Sequence, residues 1–193
     1  MNIKIKRDLL LKPLSDVSGI VEKRHALPIL SNLLLEGEDG ILKFTATDLE
    51  VQISLSIKSD TKESFKTTIA ARKLFDITRA LPEESVLDIQ IDESKVTVKA
   101  KKSRFNLQTL PAKDYPVMIK NEEEDITFSL PQNELKSLLK QVDFSMAQQD
   151  IRYYLNGLLF EVDGKKLNVV ATDGHRLSFT STNLKDSHEK KQI

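Results

Sequence analysis

Two aspartates stand in the same short pattern, Ala46-Thr47-Asp48 and Ala171-Thr172-Asp173, and paired carboxylates can divide general acid and general base work between them. The pattern belongs to a longer repeat. Thr47 and Thr172 lie 125 residues apart, and the same ungapped shift pairs Leu10 with Leu135, Leu14 with Leu139, Val17 with Val142, Leu30 with Leu155, Leu33 with Leu158 and Leu34 with Leu159. Equivalent positions in tandem domains sit a domain apart, too far for one shared substrate. Asp173-Gly174 reads instead as a turn in which the aspartate accepts hydrogen bonds from its own backbone. His25, His175 and His188 lack metal-ligand spacing, and the chain has no glycine-rich phosphate loop, no nucleophile elbow and no cysteine. The reading is a non-enzyme with no catalytic residue, no metal and no cofactor.

Other side chains invite contact rather than chemistry. Tyr153 and Tyr154, adjacent at what reads as a strand start, must point to opposite faces, so at most one is core. The other is either an ordinary half-exposed aromatic or a surface contact. Lys99, Lys101, Lys102 and Arg104 surround Phe105 on the strands closing the first copy. Basic residues on an edge strand guard against aggregation, but an aromatic ringed by charge is also the pattern of a protein interface. Within Arg104-Phe105-Asn106-Leu107, Phe105 shares a face with Leu107, so a core reading competes.

The elements that position these residues follow from periodicity. The chain of 193 residues has 29 basic and 29 acidic side chains, so its formal net charge is zero, and no apolar run nears the ~20 residues needed to span a bilayer. The absence of cysteine is consistent with a reducing, cytoplasmic setting. Residues 2 to 6 alternate as a strand. Leu10, Leu14 and Val17 recur at helical spacing, with Pro13 awkward unless the helix begins close to it. An antiparallel meander then runs to Ile57, a second helix spans Ala71 to Leu81 before Pro82, and three strands end at Leu110. In the second copy Thr127 to Leu130 reads as a strand, and Asn133 to Met146 as a helix with Leu135, Leu138, Leu139 and Val142 inward. The fold class is α+β: tandem domains, each strand, helix, three strands, helix, three strands, with helices on one face of the sheet. The first domain is placed at 1–120, an acidic linker at 121–126, and a second, truncated domain at 127–193. The chain is read as a fragment of a longer protein.

Five stretches carry a family resemblance: Leu27-Pro28-Ile29-Leu30-Ser31-Asn32-Leu33-Leu34-Leu35, Thr47-Asp48-Leu49-Glu50, Pro111-Ala112-Lys113-Asp114-Tyr115-Pro116, Asp150-Ile151-Arg152-Tyr153-Tyr154-Leu155-Asn156-Gly157 and Ala171-Thr172-Asp173-Gly174-His175-Arg176-Leu177. Through almost its whole length the sequence resembles the β sliding clamps of bacterial DNA polymerase III. The resemblance implies the DNA-clamp fold, three domain copies per chain, and a homodimer ring with helices lining the hole. The third copy is absent here. Implied partners are double-stranded DNA, held without sequence specificity, and polymerase subunits and the clamp loader, held through a linear peptide motif. By resemblance, Arg24, Arg72, Gln149, Tyr153 and Tyr154 touch DNA, and Lys12, Arg79, Lys136 and Lys140 also face the duplex. Arg152, Leu155, Thr172, Gly174, His175, Arg176 and Leu177 form half of the peptide pocket. Lys73, Lys102, Arg104 and Phe105 meet the other subunit. A protein-interaction scaffold that never binds DNA is the alternative.

Overall fold

Strict alternation across Asn2–Lys6 (β1) buries Ile3 and Ile5 and exposes Lys4 and Lys6, the signature of a strand with one face in a core. The structure, a computed structural model, describes residues 1–21, 27–61, 63–118 and 126–193. The chain divides into two units, Met1–Ile119 and Lys120–Ile193. Arg24 and the acidic stretch Glu122 to Asp125 lie outside the described residues. Among the described residues no helix is long and apolar enough to cross a membrane.

In unit 1, α1 (Arg7–Ser18) buries Leu10, Leu14 and Val17 on one stripe. Pro13 sits in the helix interior, not the first turn, so the Leu9 carbonyl has no N–H four residues on. Four strands follow: β2 (Asn32–Glu38), β3 (Ile41–Thr47), β4 (Gln52–Lys58) and β5 (Phe65–Ala70), paired antiparallel in the order β4-β3-β2-β5. The α+β class holds, with one strand more between the helices than periodicity suggested. That strand is β5, which pairs with β2 some thirty residues upstream, placing Phe65 opposite Gly37. A Cβ at Gly37 would come within 2.0 Å of the Phe65 ring, so the ring packs on bare backbone.

The second helix, α2 (Ala71–Ala80), buries Leu74 and Thr78, whose hydroxyl donates to the Leu74 carbonyl at 2.8 Å. It stops before Leu81-Pro82, because a residue preceding proline is pushed out of the helical region. β6 (Val86–Ile91), β7 (Lys95–Ala100) and β8 (Ser103–Gln108) join β1 in a second sheet of order β1-β6-β7-β8. Both sheets and both helices share one core, including Leu10, Leu33, Leu42, Phe44, Leu74, Leu87, Ile89 and Val98. Tyr115 closes the unit by donating its hydroxyl to the Asn32 carbonyl at 3.2 Å. Burial pushes that phenol up to about 12, so it remains a donor at neutral pH.

Unit 2 departs from its expected outline at the start, where Thr127 to Leu130 form no strand. In unit 1 the corresponding strand, β1, is held by β6, whereas Thr127 to Leu130 pair with no strand among the described residues. α3 (Gln132–Val142) then buries Leu138 and Val142. Leu135, expected inward, is 37% exposed. Two long extended runs, β9 (Leu159–Thr172) and β10 (Leu177–Gln192), make the sheet. Asn168 donates to Glu161 at 3.0 Å, yet seven residues of straight strand would separate them by about 23 Å. The chain therefore doubles back between them, at Gly164, whose φ is +58°. The two halves of β9 correspond to β2 and β3 of unit 1, and β10 flanks both, matching Leu177 to Thr172 and Gln192 to Glu161. Leu138, Val142, Val162, Leu167, Val169, Ala171 and Leu184 form a core separate from that of unit 1.

Candidate functional site

The repeated Thr-Asp pattern builds the same turn twice. In unit 1 the Asp48 carboxylate accepts the backbone N–H of Glu50 at 3.0 Å and of Val51 at 2.7 Å. The Thr47 hydroxyl accepts the Leu49 N–H at 3.0 Å and donates to the Val51 carbonyl at 2.8 Å. In unit 2 Asp173 accepts from His175 and Arg176, both at 2.9 Å, while Thr172 accepts from Gly174 at 3.1 Å and donates to the Arg176 carbonyl at 2.7 Å. Both aspartates commit oxygen lone pairs to backbone donors, which is turn formation and not acid–base chemistry.

The two turns differ in the residue that follows the aspartate. The residue after each aspartate has left-handed backbone, with φ of +80° at Leu49 and +87° at Gly174. A leucine held there costs roughly 1–2 kcal/mol. Leu49→Gly is therefore expected to stabilise unit 1 by ~0.5–1 kcal/mol once the glycine's extra unfolded freedom is subtracted. Thermal unfolding checks this, and a lowered midpoint would show that the half-exposed Leu49 side chain contributes more than its backbone strain costs.

In unit 2 glycine serves a second purpose. A Cβ at Gly174 would lie 3.1 Å from a guanidinium nitrogen of Arg152, so the protein's own arginine occupies the close approach that glycine permits. Arg152 is fixed there from both sides. Its Nε and one terminal nitrogen fork onto the Asp150 carboxylate at 3.0 and 2.8 Å, and the terminal nitrogen also reaches the Asp173 carbonyl at 3.4 Å. The loop bearing it is closed by Asn156, which donates to the Asp150 carbonyl at 2.9 Å and accepts the Asp150 N–H at 3.0 Å. The Arg152 fork holds the Asp150 carboxyl down at about 2.

Arg176 is oriented by two neighbours. Its Nε donates to Asp173 at 3.0 Å, and its guanidinium carbon lies 5.8 Å from the centre of the Phe144 ring. The backbone N–H groups of Arg176 and His175, then the Arg176 side chain, lower the Asp173 carboxyl from 3.8 to about 2. Because the folded value is the depressed one, the turn's contribution is present above pH ~4 and is lost as pH falls through about 2. Carboxyl-carbon NMR should give Asp173 a midpoint of about 2, and one near 3.8 would show that these bonds do not form.

Phe144, Gln148, Asp150, Arg152, Asp173, His175 and Arg176 line a cleft of about 530 Å³. Beside it Leu177 is 64% exposed and Leu155 half-buried, so apolar side chains lie next to oriented cations. A somewhat larger hollow in unit 1 is lined by Glu36, Glu38, Asp39, Phe65 and Lys66, with Glu36 bound to both Lys43 and Lys66. Phe144 escaped the sequence reading, since an aromatic just beyond a helix gives no sign of which cation it faces. Asp150, two residues before Arg152, was the available signal for the fork.

The remaining candidates fall in several places. Tyr153 and Tyr154 stand in a short 3₁₀ turn, Tyr153–Asn156, so the rule that strand neighbours alternate does not apply, and both are exposed, at 82% and 67%. Gln149 is exposed with φ of +57°. Arg72 gives two donors to the Val21 carbonyl, at 3.2 and 2.7 Å, and so holds the chain that leaves α1 as well as facing solvent. Lys73, Lys102 and Arg104 are exposed. Phe105 lies opposite Val98 on the core side of β8 and packs partly against the core, while Arg104 takes the other face.

Two tandem α+β units, each carrying a Thr-Asp turn and the second adding an arginine-lined cleft, define a clamp-type domain pair. Residues 1–119 match the N-terminal domain of the DNA polymerase III beta subunit, and residues 129–193 match its central domain. The chain belongs to the DNA polymerase III beta subunit family. It is 46% identical over 195 residues to the beta sliding clamp of Pseudomonas aeruginosa, covering 100% of this chain and 53% of that protein. The crystal structure of the DNA polymerase III subunit beta from the same organism superposes with a TM-score of 0.93 at 45% identity, covering 100% of this chain and 53% of the other. A P. aeruginosa sliding clamp bound to griselimycin superposes with a TM-score of 0.87, again at 45% identity and the same coverage. The chain thus spans about half the length of the relatives it matches.

Proposed function

We propose that this chain supplies the first two domains of a DNA sliding clamp, a non-catalytic processivity factor of the cytoplasm that encircles duplex DNA and tethers the replicative polymerase. The observation that supports this most is the tandem match, with both halves of the chain aligning to consecutive domains of one family. In this reading residues 1–120 are the first domain, 121–126 an acidic linker and 127–193 part of the second, with a third copy in the parent protein. Arg24, Arg72, Gln149, Tyr153 and Tyr154 contact DNA through phosphate and sugar. Such contacts carry no sequence information and suit a protein that slides. Lys73, Lys102, Arg104 and Phe105 form the homodimer interface.

The cleft and its apolar border receive the linear motif of polymerase subunits and the clamp loader. Leu155, Thr172 and Leu177 contact its apolar side chains, and Arg152, His175 and Arg176 its acidic or terminal carboxylate groups. That a related clamp binds griselimycin supports a ligand site on this fold. The test is gel filtration with nicked circular plasmid at moderate salt. The full-length parent should co-elute and be released when the plasmid is linearised, while the 193-residue chain should not be retained. A parent protein that binds partner peptides but never stays on circular DNA would favour a scaffold.

A further inference from the structure

The solvent face of the sheet β1-β6-β7-β8 carries a positive charge that the chain's balanced total conceals. The inward residues of these strands, among them Ile3, Ile5, Leu87, Ile89, Val96 and Val98, join the core that also holds α1 and α2. The opposite face is therefore turned away from both helices. It presents Lys4 and Lys6 from β1 and Lys95 and Lys99 from β7, with Arg104 on the edge strand β8 that the proposed dimer interface covers in the parent protein, against one carboxylate, Asp88 from β6. The register sets Lys4, Asp88, Lys99 and Arg104 in a single row across the sheet.

None of these five cations is in an ion pair among the described residues, whereas on the neighbouring sheet Glu36 binds Lys66 at 2.7 Å and Lys43 at 3.7 Å. Asp88 stands between Lys4 and Lys99 in that row, but Lys99 and Arg104 are direct cross-strand neighbours about 4.8 Å apart and Lys4 and Lys6 lie ~6.7 Å apart along β1, so the face keeps an excess of positive charge that an anion laid over it would offset. The chemistry of the face selects among anions. Lysine is depleted in protein interfaces, which rest on aromatic and aliphatic anchors, and here Val86 is the exposed apolar side chain on the described strands, among the amides Asn2, Gln90 and Asn106. Single-stranded nucleic acid calls for aromatic stacking platforms, which this face lacks. A duplex backbone needs only point charges and neutral donors spaced along a flat surface.

We propose that this face is a second docking surface for duplex DNA, sequence-independent and separate from the helix side, that contacts the phosphodiester backbone. It requires no ring, so it goes beyond the proposed clamp function and stands or falls apart from it. The test is fluorescence anisotropy of a short labelled duplex with the 193-residue chain over a salt series. Lys4→Gln, Lys6→Gln, Lys95→Gln and Lys99→Gln together should weaken binding about tenfold or more at low salt and flatten the salt dependence by roughly one unit per lysine in contact. A helix-side variant, Lys12→Gln with Arg79→Gln, should retain that lysine-dependent component. The paired reversals Lys4→Glu and Lys99→Glu change the charge by the same amount at only two positions and should weaken binding to a similar degree. Affinity within twofold of the unsubstituted chain, with the same salt slope, would overturn the proposal. So would polyglutamate binding as tightly as the duplex and with the same dependence on the four lysines, since the surface would then serve an acidic polypeptide.

Discussion

Truncating Phe44 to alanine is expected to cost unit 1 about 3–5 kcal/mol, the typical penalty for emptying a buried phenylalanine site, and to lower its thermal midpoint by roughly 10–20 °C. Phe44 is fully buried in β3, between Leu35 of β2 and Leu55 of β4 in the sheet register. Its ring therefore contacts the core shared by both sheets and both helices, and rigid strands on either side cannot close the space it would leave. Ile41 begins the same strand but is 47% exposed. Ile41→Ala should cost less than about 1 kcal/mol. Calorimetry of the two variants decides the matter. If Phe44→Ala cost no more than Ile41→Ala, the core of unit 1 would not lie where the strand register puts it. Phe105→Ala belongs between these limits, because Phe105 faces the core from an edge strand and is only partly buried. If it also anchors the dimer, the loss of subunit affinity in the parent protein should exceed what its modest loss of stability explains.

The second large effect is on peptide binding. Asp173→Ala is expected to lower the affinity of a partner peptide at least tenfold, about 1.4 kcal/mol, whereas Asp48→Ala should leave it unchanged. The two aspartates make the same pair of backbone bonds, so any general effect of loosening the turn is common to both. Asp173 alone holds an arginine, Arg176, and its backbone carbonyl alone receives Arg152. Removing its carboxylate frees Arg176 to sample many rotamers, and the entropy of refixing it must then be supplied on binding. Arg176→Ala should weaken binding to a similar degree. Anisotropy titrations with the parent protein and with the 193-residue chain, each with these substitutions, give the answer, and the shorter chain should bind more weakly throughout. Equal losses from Asp48→Ala and Asp173→Ala would mean the turns act only through the fold and the cleft is not the peptide site.

The candidate site was only partly legible in the sequence. Asp173 as a turn former could be read from its chemistry, because an aspartate before a glycine finds backbone donors within three residues whatever the rest of the chain does. That Gly174 meets Arg152 could not, because those residues lie twenty-two positions apart and meet only when the loop closed by Asn156 packs against the turn. Phe144 over Arg176 is another contact of that kind. The repeat offered a comparison, Leu49 against Gly174, that marked the position as special without saying what filled the space.

What the sequence determined by itself was whatever depends on neighbours along the chain. Alternation in Asn2–Lys6, the stripe of Leu10, Leu14 and Val17, the stop before Pro82 and the duplicated Thr-Asp turns all follow from local sterics and from short-range burial patterns. Tertiary structure alone decided what depends on distant partners. β5 exists because Phe65 to Ala70 find β2, some thirty residues upstream, and Thr127 to Leu130, alternating in sequence, pair with no strand among the described residues. Phe105 faces the core because Val98 stands opposite it, and Tyr153 and Tyr154 are both exposed because their backbone turns instead of extending. The division has a physical cause. A strand's backbone hydrogen bonds are made only with another strand, so its existence and its neighbours are settled by the folded chain, while a helix or a turn satisfies its own.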